Sequence, residues 1–260
     1  MIKLSVCVPI YGVEQYIEKC ARSLFEQTQK DDIEFIFIND KTPDKSIEIL
    51  KEVLRDYPER KEQVKIIEHT YNSGVGAARL SALKEARGEY VINCDSDDYV
   101  SVDMYELLLN KAYNNNSDVV ICDYYEDYGE KKIKITFPEN KCSEQLVIDM
   151  MEGRAHCGVW NKMIRRVLYL GSESSFVHGI DMWEDVGAII PALIKAKSIA
   201  YVNKPLYYYN QQNISSYTHS IKEKSLDNMK VVVKRLETFL LKNNPTILPS
   251  LNYLKITVKL

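Results

Sequence analysis

Residues 90–100 read YVINCDSDDYV, and the reading of this stretch decides the fold. It opens as an apolar run, Tyr90-Val91-Ile92, which suits a buried strand. It then sets Asp95, Asp97 and Asp98 around Ser96. Neighbouring carboxylates at the end of a buried strand repel one another, and either solvation or a bound cation relieves that cost. Hard cations such as Mg²⁺ and Mn²⁺ take oxygen ligands, and Mg²⁺ is commonly held by one or two carboxylates plus substrate phosphates. Taken alone, the tetrapeptide fits a metal–phosphate site or an acidic turn leading into the next helix. The remainder of the chain has to decide between them.

Working outward, the same strand-then-helix rhythm recurs. Leu4–Pro9 is a β-branched apolar run, and Val13–Thr28 has helical spacing after the Tyr11-Gly12 turn. Ile33–Ile38 is a second strand ending in Asn39-Asp40, and Thr42 as cap with Pro43 at the first helical position predicts a helix to about Tyr57. Val64–Glu68 is a third strand. After the Asn72-Ser73-Gly74 turn, a helix is expected from Val75 to about Ala86, with Gly88 as a stop signal. A helix from Val102 to Tyr113 follows the quoted stretch. Four such rounds predict an α/β fold, a Rossmann-like, mostly parallel sheet flanked by helices. Ligands bind outside the carboxyl ends of such strands. Tyr11, Asp40 and the acidic segment collect there, which favours the chemical reading over the bland one.

Beyond residue 117 the pattern loosens. Asp118–Asp123 reads as a strand, with a hairpin around Gly129 and a short helix Ser143–Met151 capped by Ser143. Trp183-Glu184-Asp185 opens a helix to about Ala196, and Ile199–Val202 and Leu206–Tyr209 read as two short strands. From Ile221 the chain is an amphipathic helix with Leu226, Met229, Val233, Leu236 and Leu240 as its apolar stripe.

The chain has 260 residues and a net charge of −3, so no global basic surface draws it to nucleic acid. No apolar run approaches the roughly 18 residues a spanning helix needs, and no leader is evident ahead of the first strand. The six cysteines form no CxxC pair, so reduced thiols in a cytoplasmic protein are expected rather than structural zinc.

The ordered set Pro9-x-Tyr11, Asn39-Asp40, Asn72-x-Gly74 with Ala78-Arg79, Asp95-Ser96-Asp97-Asp98, Trp160-Asn161-Lys162, Glu184-Asp185 and Tyr207-Tyr208-Tyr209 resembles the family 2 glycosyltransferases, inverting enzymes of the GT-A fold. The resemblance covers about residues 3–217. It implies a GT-A domain over 1–217, with a nucleotide-binding half at about 1–117 and an acceptor-side half at 118–217, followed by a C-terminal helical extension over 218–260.

The resemblance also implies roles. The donor is a nucleotide-sugar, most often UDP-linked, and the cofactor is a divalent metal, Mn²⁺ or Mg²⁺. Asp40 would hydrogen-bond the base, Pro9 and Tyr11 would line the nucleotide pocket, and Arg79 would approach the pyrophosphate or base. Asp97 would contact metal and phosphate, Asp95 the sugar or ribose, with Ser96 between them. Asp98 is left open between metal ligand and helix cap. Asp185 matches the general base. Adjacent helical residues point about 100° apart, so Glu184 is given a supporting or acceptor-binding role. Trp160 stands open between a sugar platform and a core aromatic, Lys162 lies in a segment near the active site, and His219 lies where a C-terminal loop can approach the diphosphate. Gly12, Lys41-Thr42, Leu80, Ala82 and Asn210 depart from the family's usual residues without removing a carboxylate.

The expected acceptor is a hydroxyl of a glycan or a lipid-linked sugar. Lys222, Lys224, Lys230, Lys234, Arg235 and Lys242 leave the C-terminal helix open to docking on its own domain, homodimer pairing, or peripheral contact with an anionic membrane at its inner face. Two competing classes fit the residues less well. A sugar nucleotidyltransferase expects a glycine-rich basic loop after the first strand, which Pro9-Ile10-Tyr11-Gly12 is not. A non-catalytic binding module has no need of intact Asp97 and Asp185.

Overall fold

Strand β1 (Leu4–Ile10) alternates cleanly: Leu4, Val6, Val8 and Ile10 enter one apolar core and Cys7 the other. The same split runs through β2 (Ile33–Asn39), where Phe35 and Phe37 face one side and Ile36 and Ile38 the other. A strand buried on both faces reads as a continuous apolar run, which is why these two were legible. The computed structural model describes residues 1–137, 142–171, 175–213 and 223–258.

Strands β3 (Val64–Glu68), β2, β1 and β4 (Tyr90–Asn93) lie side by side in that order, all parallel. Helices α1 (Ile17–Phe25) and α4 (Met104–Asn115) cover one face together with α2 (Ser46–Arg55). Helix α3 (Val75–Glu85) covers the other with α5 (Ser143–Met151), α6 (Glu184–Lys195) and α7 (Glu223–Asn243).

Past β4 the sheet is mixed, which corrects the mostly parallel expectation. β8 (Lys162–Arg165) runs antiparallel to both β4 and β6 (Val119–Asp127). β9 (Ile199–Asn210) is parallel to β6, and β5 (Tyr99–Val100) closes the order antiparallel to β9. β7 (Lys132–Ile135) forms the expected hairpin with β6. The quoted stretch therefore spans the sheet, from β4 in the middle to β5 at the far end. The fold brings β9 under the acidic turn.

Several local expectations change. The two short strands of 199–209 are one strand, irregular where Pro205 stands opposite Asp123; a proline cannot donate to the ladder, and such positions favour bulges. Thr42 does not cap a helix. Its hydroxyl accepts from Gly12 N (2.8 Å), and Asp44 accepts from Glu14 N (2.9 Å) and Ser46 N (3.1 Å). The loops after β1 and β2 are thus knitted together, so α1 begins at Ile17 and α2 at Ser46. Cys142, not Ser143, precedes α5 at its cap.

Helix α7 docks on its own domain: Met229, Val232, Val233, Leu236, Phe239 and Leu240 join the core that holds α5 and α6. Leu226, expected in that stripe, is exposed. Among the described residues no helix is long and apolar enough to cross a membrane.

Candidate active site

The strand ends place the expected side chains at one edge of the sheet. β1 and β2 stop in register at Ile10 and Asn39, and Cys7 on β1 lies beside Asn93 at the end of β4. Pro9 is half-buried and Tyr11, two residues on, is exposed. Asp40 is buried and already engaged. Its Oδ1 accepts from His69 Nδ1 (2.6 Å) and Ser73 N (2.8 Å), its Oδ2 from Gly74 N (2.8 Å). A carboxylate offers about four acceptor positions, so one on Oδ2 is left for a ligand N–H. His69 is steadied in turn by Ser81 Oγ (2.9 Å). The sequence reading missed His69, although its place just past β3 obeys the same strand-end rule.

Gly74 begins α3 at φ 89°, and a Cβ there would lie 2.0 Å from Asp181 Oδ1. Glycine is needed for the backbone angle and for the approach. The approach brings the 179–182 loop against α3. Asn228 on α7 fixes that loop, accepting from Asp181 N (2.7 Å) and Met182 N (3.2 Å). Trp183 then takes a left-handed φ of 62°, which costs a bulky residue on the order of 1–2 kcal/mol. The turn delivers Glu184 and Asp185 to the first turn of α6.

Arg79 joins the two sides. Its guanidinium is buried between Asp95, at 2.6 Å from Nη2, and Glu184, in direct contact with Nη1. Burial works against its charge, and Asp95, Glu184 and Asp185 more than offset that, so it stays protonated more firmly than usual. Burial pushes the Glu184 carboxyl up, with Arg79 pulling the other way. Asp185 is partly exposed, and its Oδ1 accepts from Val186 N at 2.7 Å.

The four residues of the acidic turn divide sharply. Asp98 is fully buried, accepting from Tyr207 Oη (2.6 Å) and Asn210 N (2.7 Å). It does not cap α4, whose cap is Asp103; it clamps the turn onto β9. Burial, then Asp97 and Asp95, push its carboxyl well above the usual range. Asn210, one of the departures from the family pattern, adds a second tie from Nδ2 to Asp97 O (3.0 Å). Ser96 is buried within the turn. Asp95 and Asp97 are partly exposed. Asp97 accepts from Asn213 Nδ2 at 2.8 Å, and burial, then Asp95, raise its pKa.

That electrostatic load is the test for a divalent ion. Asp97 shares a crowded negative turn, and no ion pair to it is found among the described residues. Nor is any group of three or more His, Cys, Asp or Glu side chains there gathered to hold a metal. Two carboxylate residues at the mouth, with further ligands left to a substrate, fit Mg²⁺ or Mn²⁺ better than a closed protein cage. Among the described residues, both amide atoms of buried Asn93 and the Nε of Arg79 find no hydrogen-bond partner, which leaves polar capacity beside the turn.

The remaining candidates fall elsewhere. Trp160 is buried, stacked on Tyr207 (4.4 Å between centroids) and Tyr209 (5.4 Å), so it packs the wall rather than offering an open platform. Lys162 is fully buried and donates to His156 O (3.0 Å), Gly158 O (2.6 Å) and Asn161 Oδ1 (2.7 Å). Burial pulls its pKa down to about 8. His219 lies outside the described residues.

Residues 5–169 match the family described as glycosyl transferase family 2, and the chain belongs to that family. The fold is that of solved GT-A enzymes: S. aureus TarS 1–349 in complex with UDP-GlcNAc superposes with a TM-score of 0.81 at 20% identity, over 98% of this chain and 73% of that one. Among curated proteins, the uncharacterized glycosyltransferase EpsJ of Bacillus subtilis is 34% identical over 223 residues, 83% of this chain and 62% of EpsJ. A poly(ribitol-phosphate) beta-glucosyltransferase of Bacillus spizizenii is 32% identical over 211 residues, 80% of this chain and 32% of that protein. The chain thus spans less than two thirds of either relative.

Proposed function

We propose that the chain is an inverting glycosyltransferase that moves a sugar from a UDP-linked donor to a hydroxyl of a glycan or lipid-linked acceptor. The observation that carries this is Arg79. One buried guanidinium ties the acidic turn after β4 to Glu184, the neighbour of Asp185, so that a donor-side and an acceptor-side carboxylate flank one crevice. The TarS complex with UDP-GlcNAc supports the donor class, and the poly(ribitol-phosphate) relative supports a polymeric hydroxyl acceptor.

In this reading Asp40 keeps one acceptor position for the base N–H, with Pro9 and Tyr11 beside it. Asp97 would hold the divalent ion, leaving its remaining positions to the donor phosphates, and Asp95, oriented by Arg79, faces the sugar side. When bound, the ion offsets charge on the departing nucleoside diphosphate. Asp185 takes the proton from the acceptor hydroxyl as that oxygen attacks the anomeric carbon from the face opposite the leaving group. Glu184, held by Arg79, is a positioning residue that sets the first turn of α6. With α7 docked on its own domain, membrane attachment and dimer pairing through that face have no support, and we do not propose them.

Isothermal titration of UDP with Mn²⁺ present tests the reading. Binding in the micromolar to millimolar range that is lost in Asp97→Ala is expected. No binding to the wild-type chain, with or without Mn²⁺, would sink it.

A further inference from the structure

His156 drew no attention in the sequence, yet its ring is held by specific neighbours. Its ring lies among three aromatic side chains, with centroids 5.3 Å from Trp160, 6.0 Å from Tyr124 and 6.3 Å from Tyr209. Its Nδ1 accepts from Gly158 N at 2.8 Å. A Cβ on Gly158 would stand 2.7 Å from that Nδ1 and 2.7 Å from the Trp160 indole, so the residue there has to be glycine for the ring to sit as it does. Behind the ring, the His156 carbonyl anchors the buried Lys162 ammonium at 3.0 Å.

An imidazole whose Nδ1 accepts carries its proton on Nε2 when neutral. Burial, then Lys162, push His156 below the ordinary histidine range, so the neutral form prevails near pH 7. The residue taken as a whole is nonetheless exposed. The cage also backs the acidic turn: Trp160 stacks on Tyr207 at 4.4 Å, and the Tyr207 hydroxyl accepts from Asp95 N at 3.1 Å and donates to Asp98 Oδ2 at 2.6 Å.

We propose that His156 contacts the acceptor, its Nε2–H donating a hydrogen bond to an oxygen of the acceptor sugar or polyol next to the hydroxyl that Asp185 deprotonates. This rests on the glycosyl-transfer reading above. A neutral donor suits that role, because it orients an oxygen without competing with Asp185 for the proton. The aromatic cage and Gly158 fix the direction of the bond in advance, so little side-chain entropy is lost on binding.

The test separates this inference from the reading beneath it. The 260-residue chain with Mn²⁺ is given UDP-glucose, UDP-galactose or UDP-GlcNAc, with octyl β-glycosides and ribitol-phosphate oligomers as acceptor probes. Acceptor-dependent transfer and acceptor-independent donor hydrolysis are both followed. His156→Ala is expected to raise the acceptor KM about tenfold, the worth of one oriented hydrogen bond, and to lower the ratio of transfer to hydrolysis. His156→Gln, which keeps an N–H near the Nε2 position, is expected to recover part of the loss. Gly158→Ala, which displaces the ring, should act in the same direction as His156→Ala. An acceptor KM within twofold of wild type in His156→Ala, or transfer and hydrolysis falling in parallel, overturns the inference and leaves the glycosyl-transfer reading standing. Wild-type hydrolysis with no transfer to any probe also counts against the acceptor contact. Neither hydrolysis nor transfer by the wild type sinks both. Separately, a long-range ¹H–¹⁵N spectrum at pH 7 should show His156 protonated on Nε2; protonation on Nδ1 overturns the inference by itself.

Discussion

The parallel half of the sheet and the mixed half position side chains by different means. In β3-β2-β1-β4 the strand ends do the placing: Tyr11, Asp40 and Asp95 follow directly from where β1, β2 and β4 stop. In β8-β6-β9-β5 the strand ends matter less, and individual polar clamps place the groups. Tyr207 and Asn210 hold Asp98, Asn213 reaches Asp97, and Asn228 holds the loop before α6. A strand end is a property of a local run, whereas a clamp depends on two distant residues. The second half should therefore be the more fragile to single changes, and the two halves should fail differently.

The largest expected effect breaks function without touching the parallel half. In Asp185→Asn, transfer should fall by about 10²–10⁴-fold, the worth of a general base. UDP binding with Mn²⁺, measured by calorimetry, should stay close to wild type. If transfer survives, the base lies elsewhere; if nucleotide binding falls with it, the halves are not separable in this way.

Next comes the link between the halves. Arg79→Leu leaves Asp95 and buried Glu184 without their cation, and breaking such a buried pair costs about 3–5 kcal/mol. Urea unfolding should show this as a lower midpoint. Arg79→Leu combined with Glu184→Gln should recover part of the loss, because one uncompensated charge is gone. A single variant as stable as wild type would mean that the bridge is dispensable.

The clamp on the acidic turn comes third. Asp98→Ala removes the acceptor of the Tyr207 O–H and of Asn210 N, an expected cost of about 1–3 kcal/mol. Asp97→Ala, whose carboxylate is partly exposed, should cost far less stability while removing Mn²⁺-dependent UDP binding. Equal loss of stability in the two would erase the division of labour between neighbouring carboxylates.

How much of this was legible follows from the same contrast. The two-face burial of β1 and β2 and the recurrence of strand and helix are local, so the α/β class and the strand-end residues could be read directly. The rule that found Asp40 extends to His69. It could not find the partners. Arg79 and Glu184 are 105 residues apart, Asp98 and Tyr207 are 109, and Asn213 and Asp97 are 116. Nothing in the periodicity of either segment announces such pairs. Asp98 could not be resolved from sequence for that reason: its partner is supplied by β9. Trp160 was left open between platform and core because its aromatic neighbours come from β6 and β9. His156 lies in a loop with no periodic signal, and its role depends on a glycine two residues on and an indole four residues on.

The smallest predicted effect concerns Lys162, where the mixed half stores a charge in its core. The ammonium has three oxygen acceptors and lies over the Phe137 ring at 4.6 Å. In the unfolded chain a lysine keeps its proton to about pH 10.4; in the folded chain burial lowers that to about 8. Between these values the unfolded state binds more protons, so the stability attributable to this group rises as pH rises through the window. Lys162→Met removes the titration together with the three bonds. The gap in unfolding free energy between wild type and Lys162→Met should therefore widen in favour of wild type from about pH 8 to pH 10, on the order of 1 kcal/mol per pH unit. Below pH 7.5 the gap should be flat, since the group is charged in both states. Urea titrations of the two proteins at pH 7, 8, 9 and 10 give the slope. A gap that stays level, or closes as pH rises, would mean that the ammonium keeps its proton throughout, stabilised by its oxygen partners more than burial opposes it.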